Sequence, residues 1–285
     1  RVAIEIGWYA KQALDCYIAK TLHPCHVYCA LSGIGLASGK VAKEQGAVYV
    51  CNRLSSHILH QDRILREEFE SLGLLFSGID HRIVDKECAE YEQADTILVP
   101  SAFARDSFLE MGLTSDKVHA IPFGVDTGQF KPSMPRDEVF RVLFVGQLSV
   151  RKGLHYLLQS YKRADLANAT LVLVGEPQSE TKELLDRFPV KSVDLMGTLT
   201  RRQVAEQMSR ASAFVLPSIE EGLAQVLVEA LACGCPVIAS RNTGATDLFN
   251  DGEEGWIVPV GSVDEMASCL IRLYDDPTLL DDMSR

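Results

Sequence analysis

Short, continuous apolar runs alternate with stretches of helical periodicity along most of the chain, and this alternation restricts the fold more than any other feature. The runs are rich in Val, Ile and Leu and lack the apolar–polar alternation of a strand with one wet face. Such runs, separated by helices such as those predicted over residues 153–163 and 201–210, indicate parallel sheets covered on both faces. The predicted strands are residues 26–31, 47–51, 96–99, 118–121, 141–145, 170–174, 193–196, 213–216, 236–239 and 255–258.

A segment rich in proline, glycine and charge, residues 122–135, interrupts this alternation. No helical or strand periodicity crosses it, which is typical of a linker between domains. The sequence therefore predicts an α/β chain of two Rossmann-like, doubly wound domains, over residues 1–133 and 134–285. Most of the predicted strands belong to the second domain, so we expect the first domain to be incomplete.

Both ends of the chain lie within helical patterns. The first residue is Arg1 rather than Met, and a helix-like stretch over residues 8–22 follows closely. A further helix is predicted to begin where the chain stops, at residues 283–285. We therefore expect both ends to be cut, with the last helix of the second domain incomplete.

The composition argues against several classes of protein. The 285 residues are 47% hydrophobic and carry a formal net charge of −11, so the surface repels polyanions and nucleic acid is not an expected partner. No apolar run is long enough to span a bilayer, and no segment has the architecture of a signal peptide. A cytoplasmic location is therefore expected, with peripheral contact to a membrane left open.

Eight cysteines are too sparse in a chain of this length for a disulfide framework, so we expect reduced thiols. His23, Cys25, His26 and Cys29 form one loose cluster of metal-ligand residue types. Because a structural zinc site needs two ligand pairs brought together, thiols on a buried strand are the better interpretation, and no metal is expected.

The most informative stretch is residues 213–239, where a strand, a glycine-containing loop and a helix follow one another. The helix is predicted to begin near Leu223, so its free amides and positive dipole end would face the loop and suit a phosphate. Glu221, Gln225 and Glu229 recur every four residues and share one side of this helix and its entry turn. They form either its water-facing side or, through the two carboxylates, acceptors for ligand hydroxyls.

Four segments follow one another along the chain. They are the last strand of the first domain with its loop (95–101), the linker (121–132), the first strand and loop of the second domain (142–153) and residues 217–238. In this order they resemble motifs of the retaining glycosyltransferases of family 4 in the sequence-based classification, and the last segment resembles the donor-site signature of that family. Together the four are specific, although each alone is common, and the resemblance covers most of the chain. It implies the two-domain GT-B fold.

The resemblance implies donor contacts for several residues of the second domain. Lys152 matches a lysine that neutralises the donor diphosphate, a task suited to a flexible ammonium group. The family usually has arginine at the position of Gln147, so Arg151 is the candidate for the missing charge; a solvated surface arginine is the alternative. Gly197 belongs either to the loop that commonly holds the base or to an ordinary turn after a strand.

Two carboxylates of the donor-site signature have implied roles. Glu221 matches the residue that contacts the hydroxyls of the transferred sugar, which makes it a donor-binding and candidate catalytic residue. Glu229 matches the residue that binds the ribose of the nucleotide. Gly222, Leu223 and Ala224 stand where the family usually has Gly-Phe-Gly, a change that keeps the backbone donors and adds a methyl group near the donor sugar.

His57 is the candidate polar catalytic residue of the first domain. It ends the sequence Ser55-Ser56-His57, after a predicted strand, where some family members place a histidine that faces the leaving group. A histidine in a surface loop is the alternative, and His60 competes for the same role.

The function implied by the resemblance is transfer of a hexose from a UDP- or GDP-linked donor to a hydroxyl acceptor, with retention of the anomeric configuration by a front-face mechanism. No cofactor or metal is expected, because Lys152, Arg151 and the helix N-terminus would stabilise the departing diphosphate. The acceptor is a glycan, a lipid or a small molecule that the sequence does not identify.

Other functions stay open. Gln147 and the change at residues 223–224 favour a nucleotide-sugar-binding protein without turnover. The glycine-rich residues 33–39 favour an NAD(P)-linked oxidoreductase, although their third glycine comes one position late for G-x-G-x-x-G. Asn52-Arg53 also lacks the acid that would hold an NAD ribose. A sugar-nucleotide epimerase is a third alternative, which the linker and donor motifs support less well.

Overall fold

The computed structural model describes residues 2–284, with side chains from Glu5 onward. The chain divides into two compact units. The first contains the residues up to Glu67 together with Leu75–Pro122, and the second contains Glu68–Leu74 and the chain from Phe123 onward.

The first unit is built on one sheet of four parallel strands in the order β1-β2-β3-β4. Within the described strands the spatial order follows the chain, so this sheet has no point at which the strand order reverses. The strands are β1 (Val27–Leu31), β2 (Val48–Asn52), β3 (Thr96–Val99) and β4 (Val118–Ala120). The helices are α1 (Val2–Thr21), α2 (Leu36–Glu44), α3 (Ile58–Ser71), α4 (His81–Gln93) and α5 (Ala102–Glu110).

One face of the first sheet carries the core of this unit. Tyr49, Ile97 and Phe108 are fully buried there. On the opposite face Val27 and Val48 keep 59% and 46% of their surface exposed. The prediction of sheets covered on both faces is therefore wrong for this sheet, because the described residues leave apolar side chains of β1 and β2 uncovered.

The second unit is built on a sheet of six parallel strands in the order β10-β9-β8-β5-β6-β7. The strands are β5 (Phe140–Val145), β6 (Ala169–Val174), β7 (Val193–Gly197), β8 (Ala213–Leu216), β9 (Val237–Ser240) and β10 (Gly255–Val258). The helices are α6 (Leu154–Ala164), α7 (Thr181–Arg187), α8 (Arg201–Arg210), α9 (Gln225–Ala232), α10 (Val263–Asp275) and α11 (Pro277–Asp282).

The ten predicted strands all form, each with bounds within one residue of the prediction. The predicted helix over residues 201–210 is α8, and the one over residues 153–163 is α6, shifted by one residue. These elements are locally well specified: Thr200 and Gln203, for example, form a reciprocal capping box at the start of α8. In the second unit the central strands are buried on both faces, as predicted from their continuous apolar runs.

Candidate functional site

The strand order of the second unit reverses between β5 and β8. From β5 the chain continues to β6 and β7 on one side, then returns to β8, β9 and β10 on the other. In open parallel sheets, ligands bind outside the carboxyl ends of the strands at such a reversal. The loops after β5 (residues 146–153) and after β8 (residues 217–224) flank this position.

The loop after β5 ends in a glycine whose conformation and surroundings both require glycine. Gly153 caps α6 with a φ of +70°, and a Cβ at this position would overlap the carbonyl oxygen of Pro217. The two loops are also joined by a backbone hydrogen bond from Ile219 N to Arg151 O of 2.8 Å. The side chains of Arg151 and Lys152 are thereby fixed beside the loop after β8.

Two cations and two carboxylates meet between these loops. Lys152 Nζ forms an ion pair with Glu221 Oε1. Arg151 Nε lies 3.0 Å from Glu220 Oε2, and Arg151 Nη2 lies 3.6 Å from Glu221 Oε2. Glu220 is fully buried and Glu221 is 7% exposed, so this pairing satisfies charges that burial would otherwise make costly.

Arg151 is therefore not the solvated surface arginine that the sequence left as an alternative. Burial acts against its charge, but the carboxylates of Glu221 and Glu220 outweigh this effect and raise the pKa of the guanidinium group. Gln147, in contrast, is exposed. Glu220 was not singled out from the sequence; its position directly before Glu221 was the only available signal.

In the loop after β8, more backbone amides are hydrogen-bonded within the protein than the sequence predicted. The amides of Glu221 and Ala224 donate hydrogen bonds to the carbonyl oxygens of Asn242 (3.1 Å) and Thr243 (2.9 Å). The prediction that residues 222–224 keep their backbone donors for a ligand is therefore wrong for the amide of Ala224.

The helix after this loop starts later than expected. It begins at Gln225, not near Leu223. Leu223 and Ala224 are only 6% and 3% exposed, so their side chains belong to the interior of the unit. Gly222 is buried beside them. Whether these three residues contact a donor stays a prediction.

The carboxylates of the predicted polar stripe are buried, which rules out its interpretation as a water-facing side. Glu229 is 8% exposed, whereas Gln225 is exposed. Arg201 Nη2 lies 3.1 Å from Glu229 Oε1. Burial raises the pKa of Glu229, and the Arg201 charge opposes this rise. A buried carboxylate with one cation beside it can accept hydrogen bonds from ligand hydroxyls.

Gly197 ends β7, on the side of the sheet away from β8. It has a φ of +64° and is exposed, and its carbonyl oxygen accepts a hydrogen bond of 2.8 Å from Gly175 N. These features fit the turn that ends the strand. Its contact with a nucleobase stays a prediction.

His57, in the first unit, is a core residue. It is 3% exposed, and its ring lies 5.0 Å from that of Tyr91 and 4.8 Å from that of Phe108. Burial lowers the pKa of His57 to about 4, and the charges of Arg53 and His60 act in the same direction. The surface-loop alternative is therefore wrong, and the catalytic role stays a prediction for a histidine that is neutral at pH 7.

The ring of His57 also borders a cavity of about 520 Å³ in the first unit. Its Nδ1 accepts a hydrogen bond of 3.2 Å from Leu59 N, which leaves Nε2 as the protonated ring nitrogen. His60 is likewise buried, at 7% exposure, and its Nδ1 lies 3.1 Å from Glu110 Oε2.

The glycine-rich loop of the first unit is filled by carboxylates of the protein itself. The amides of Gly33 and Gly35 donate to the two oxygens of Glu90 at 2.5 and 2.8 Å. Two amides in the first turn of α2, those of Ala37 and Ser38, donate to Asp15. Since these four donors are occupied, the loop is not available to a dinucleotide phosphate, which counts against the oxidoreductase alternative.

Two further expectations concern metals and membranes. Among residues 2–284, the structure shows no group of three or more His, Cys, Asp or Glu side chains that could hold a metal ion. All eight cysteines are free thiols, and Cys29 is exposed on β1 instead of buried as expected. None of the described helices combines the length and the apolar character needed to cross a bilayer. A cytoplasmic location stays a prediction.

Comparison with known proteins places this geometry in a family. The family described as "Glycosyl transferases group 1" matches residues 126–285. An MMP alpha-(1->4)-mannosyltransferase of Mycolicibacterium hassiacum is 30% identical over 189 residues, which cover 64% of this chain and 46% of the relative. The chain spans about half the length of the curated relatives that it matches.

Solved structures share the fold over almost the whole chain. A sucrose-phosphate synthase from Thermosynechococcus elongatus superposes with a TM-score of 0.75 and 23% identity, covering 95% of this chain and 69% of the other. The Anabaena protein HepE, solved with UDP and glucose, gives a TM-score of 0.72 and 19% identity, covering 95% and 74%. Both likenesses show the GT-B fold with its Rossmann-like sheets. With its family match across the second unit, the chain belongs to the glycosyl transferases of group 1.

Proposed function

We propose that this chain carries the donor site of a hexosyltransferase that moves a sugar from a UDP- or GDP-linked donor to a hydroxyl acceptor with retained anomeric configuration. The observation that carries the proposal is the contact of Lys152 and Arg151 with Glu221 at the strand reversal of the second unit. That position is the expected ligand site of such a sheet.

The two cations suit the diphosphate of the donor. A departing nucleoside diphosphate gains negative charge as the glycosidic bond breaks, and fixed cations nearby stabilise that charge. Lys152 is paired with Glu221 in the ligand-free chain, so diphosphate oxygens compete with this carboxylate for the ammonium group. Arg151 is held mainly by the fully buried Glu220 and can stay in place during that exchange.

The two carboxylates suit the hydroxyl-bearing ends of the donor. Once Lys152 moves to the diphosphate, Glu221 is free to accept hydrogen bonds from hydroxyls of the sugar. Glu229 lies further along the chain, on α9, and would accept hydrogen bonds from the ribose hydroxyls. HepE, which shares the fold, was solved with UDP and glucose, and this supports a uridine-linked hexose as one donor to test.

Retention and the absence of a metal requirement are part of the proposal. The resemblance to family 4 implies a front-face reaction in which the leaving diphosphate and the entering hydroxyl share one face of the sugar. The cations of Arg151 and Lys152 would do the work that a divalent cation does elsewhere. The mannosyltransferase among the relatives supports a hexose.

A second candidate is a nucleotide-sugar-binding protein without turnover. Gln147 favours it, because an exposed, uncharged side chain stands where the family resemblance implies an arginine. The two candidates share the donor site and differ only in bond cleavage.

The test measures binding and cleavage in the same preparations. The 285-residue chain is titrated with UDP and GDP by calorimetry and is incubated with UDP-glucose and GDP-mannose, with NMR detection of released sugar and its anomer. We expect one nucleotide to bind, and the α-linked donor to release α-sugar at first. Glu221→Gln should lose cleavage but keep nucleotide affinity within about threefold.

The control is Glu206→Gln, on the exposed side of α8, which should change neither quantity. Nucleotide binding without cleavage in the wild-type chain would favour the second candidate. Failure of both UDP and GDP to bind would contradict both candidates.

A further inference from the structure

Arg201 is the first residue of α8, and its position is fixed by the helix start. The Thr200 side chain and the Gln203 side chain form a capping box around this residue, which sets where α8 begins. Arg201 lies on the turn that follows β7, and its side chain reaches Glu229 on α9. It was not among the site residues predicted from the sequence.

Two contacts hold the Arg201 guanidinium group in place. One is the ion pair with Glu229, with Nη2 3.1 Å from Oε1. The other is the ring of Phe130, whose centroid lies 5.1 Å from the guanidinium carbon. Phe130 is itself 1% exposed, so it is a rigid support, and stacking on an aromatic face leaves the edges of a guanidinium group free to donate.

The neighbouring arginine provides an internal contrast. Arg202 follows directly in α8 but pairs with Glu206 on the same helix, at 3.0 Å. Its side chain is 86% exposed, compared with 58% for Arg201. An exposed i,i+4 pair of this kind contributes little to stability or to a site. The chain thus offers two adjacent arginines, of which one contacts the predicted ribose carboxylate.

Arg201 also acts on the pKa of Glu229. Its carboxylate is buried, and burial raises its pKa, while Arg201 opposes that rise. The thiol of Cys233, directly after the end of α9, also interacts with Glu229. Burial raises the pKa of Cys233 to about 11, so this thiol is neutral at pH 7 and Arg201 is the opposing charge.

We propose that Arg201 is a positioning residue for the nucleoside end of the donor site, which orients the Glu229 carboxylate to accept hydrogen bonds from ribose hydroxyls. The proposal rests on the proposed function, because it assumes that Glu229 binds the ribose. An ionised carboxylate accepts stronger hydrogen bonds than its protonated form, which must also give up an acceptor position. Without Arg201, Glu229 would be protonated over a wider range of pH.

The experiment is calorimetric titration of the 285-residue chain with UDP and with GDP between pH 6 and pH 9. The variants are Arg201→Met, Arg202→Met as the matched control, Glu229→Gln and the double variant Arg201→Met/Glu229→Gln. The ratio of variant to wild-type Kd at each pH cancels the titration of the nucleotide's own phosphate. Thermal unfolding of each variant shows whether it is folded.

Arg201→Met should weaken nucleotide binding about tenfold at pH 6.5, in line with the loss of one charge-assisted contact, and by less towards pH 9, because removing the opposing charge raises the pKa of Glu229. Arg202→Met should stay within twofold of wild type at every pH. In the Glu229→Gln background, adding Arg201→Met should have no further effect, because both changes remove the same interaction. Arg201→Lys should retain most of the affinity.

Different results separate this proposal from the proposed function. If Glu229→Gln weakens binding but Arg201→Met does not, or does so equally at every pH, Arg201 does not act through the charge of Glu229. Equal losses in Arg201→Met and Arg202→Met would show a general electrostatic effect and overturn the proposal. If neither UDP nor GDP binds the wild-type chain, or Glu229→Gln has no effect, the proposed function of Glu229 fails and this proposal fails with it.

Discussion

Each unit places a glycine-containing loop after a parallel strand, and the two loops have opposite electrostatic surroundings. In the first unit, the amides of Gly33 and Gly35 receive the carboxylate of Glu90. In the second unit, the loop after β5 brings Arg151 and Lys152 against acidic residues of the loop after β8. One loop is neutralised by a buried anion of the protein, and the other presents cations at a strand reversal.

The comparison shows that a glycine-rich turn does not by itself make a phosphate site. Backbone amides bind any suitable anion, and in the first unit that anion is supplied by α4. A ligand could enter there only by displacing Glu90, which is fully buried. In the second unit, the carboxylate that a ligand would displace from Lys152 belongs to the loop that is expected to bind the donor sugar.

The largest expected effect is a loss of stability where the loops after β5 and β8 contact each other in the second unit. Gly153→Ala should destabilise the chain by more than about 3 kcal/mol, because it combines a left-handed backbone with overlap on Pro217 O. Gly252 also has a positive φ, of +90°, but no atom lies within 4 Å of a Cβ there. Gly252→Ala should therefore cost only about 1–2 kcal/mol.

Denaturant unfolding of both glycine variants measures this difference. Equal losses in Gly153→Ala and Gly252→Ala would mean that the contact between the loops after β5 and β8 adds nothing beyond backbone strain.

The next largest effect is on nucleotide affinity and tests the difference in charge between the two loops. Lys152→Met should weaken binding of UDP or GDP about a hundredfold, since it removes a charge-assisted contact to the diphosphate. Lys162→Met is the matched control, because Lys162 is an exposed lysine near the end of α6 and should leave affinity unchanged. Calorimetric titration of both variants measures the effect, and similar affinities would contradict a diphosphate role for Lys152.

A third effect is a pH dependence of the free energy of unfolding, which arises in the first unit. Burial raises the pKa of Glu90 to about 7, from an ordinary value of 4.5, although Gly33 and Gly35 act against this rise. The folded chain therefore binds this proton more tightly than the unfolded chain, so Glu90 stabilises the fold at low pH and this contribution is lost as the pH rises through 7. Between pH 5 and pH 8 the loss is about 2–3 kcal/mol.

Glu90→Gln, which does not titrate, should lack this part of the pH dependence. The free energy of unfolding in denaturant, measured at intervals from pH 5 to pH 8, should fall more steeply for the wild type than for the variant. Parallel profiles would contradict the shifted pKa. The variant should bind UDP or GDP within twofold of wild type, because its loop is not the nucleotide site.

The smallest expected effect is on nucleotide affinity and tests whether Glu220 holds the Arg151 side chain in place. Glu220→Gln keeps the shape of the side chain but removes the charge that holds the guanidinium group, and should weaken nucleotide binding about fivefold. Glu206→Gln changes a residue of the Arg202–Glu206 pair on α8 and should leave nucleotide binding unchanged. Titration that shows no difference between the two variants would mean that Glu220 only fills space.

Much of the fold could be predicted because its signals are local. Continuous apolar runs marked every strand to within one residue, and helical periodicity marked both bounds of α8. Lys152, Glu221 and Glu229 were named from the family resemblance, and the structure places all three in the second unit. Their contacts with a donor stay predictions.

The errors arose where partners come from distant parts of the chain. Glu90 is 57 residues from the glycine whose amide it binds, and no local pattern joins the two. The amides of Glu221 and Ala224 are occupied by carbonyls that follow β9, which is beside β8 only because of the strand order. The surface-loop alternative for His57 was wrong, because its amide donates a hydrogen bond to Ser107 of α5 and its ring is buried.

Hydrogen–deuterium exchange of the wild-type chain, with and without saturating UDP or GDP, tests most directly which loop binds the nucleotide. We expect slower exchange in residues 146–153 and 217–229, where the cations and carboxylates of the second unit lie, and no change in residues 33–39. Protection of residues 33–39 without protection of the two loops of the second unit would contradict this expectation.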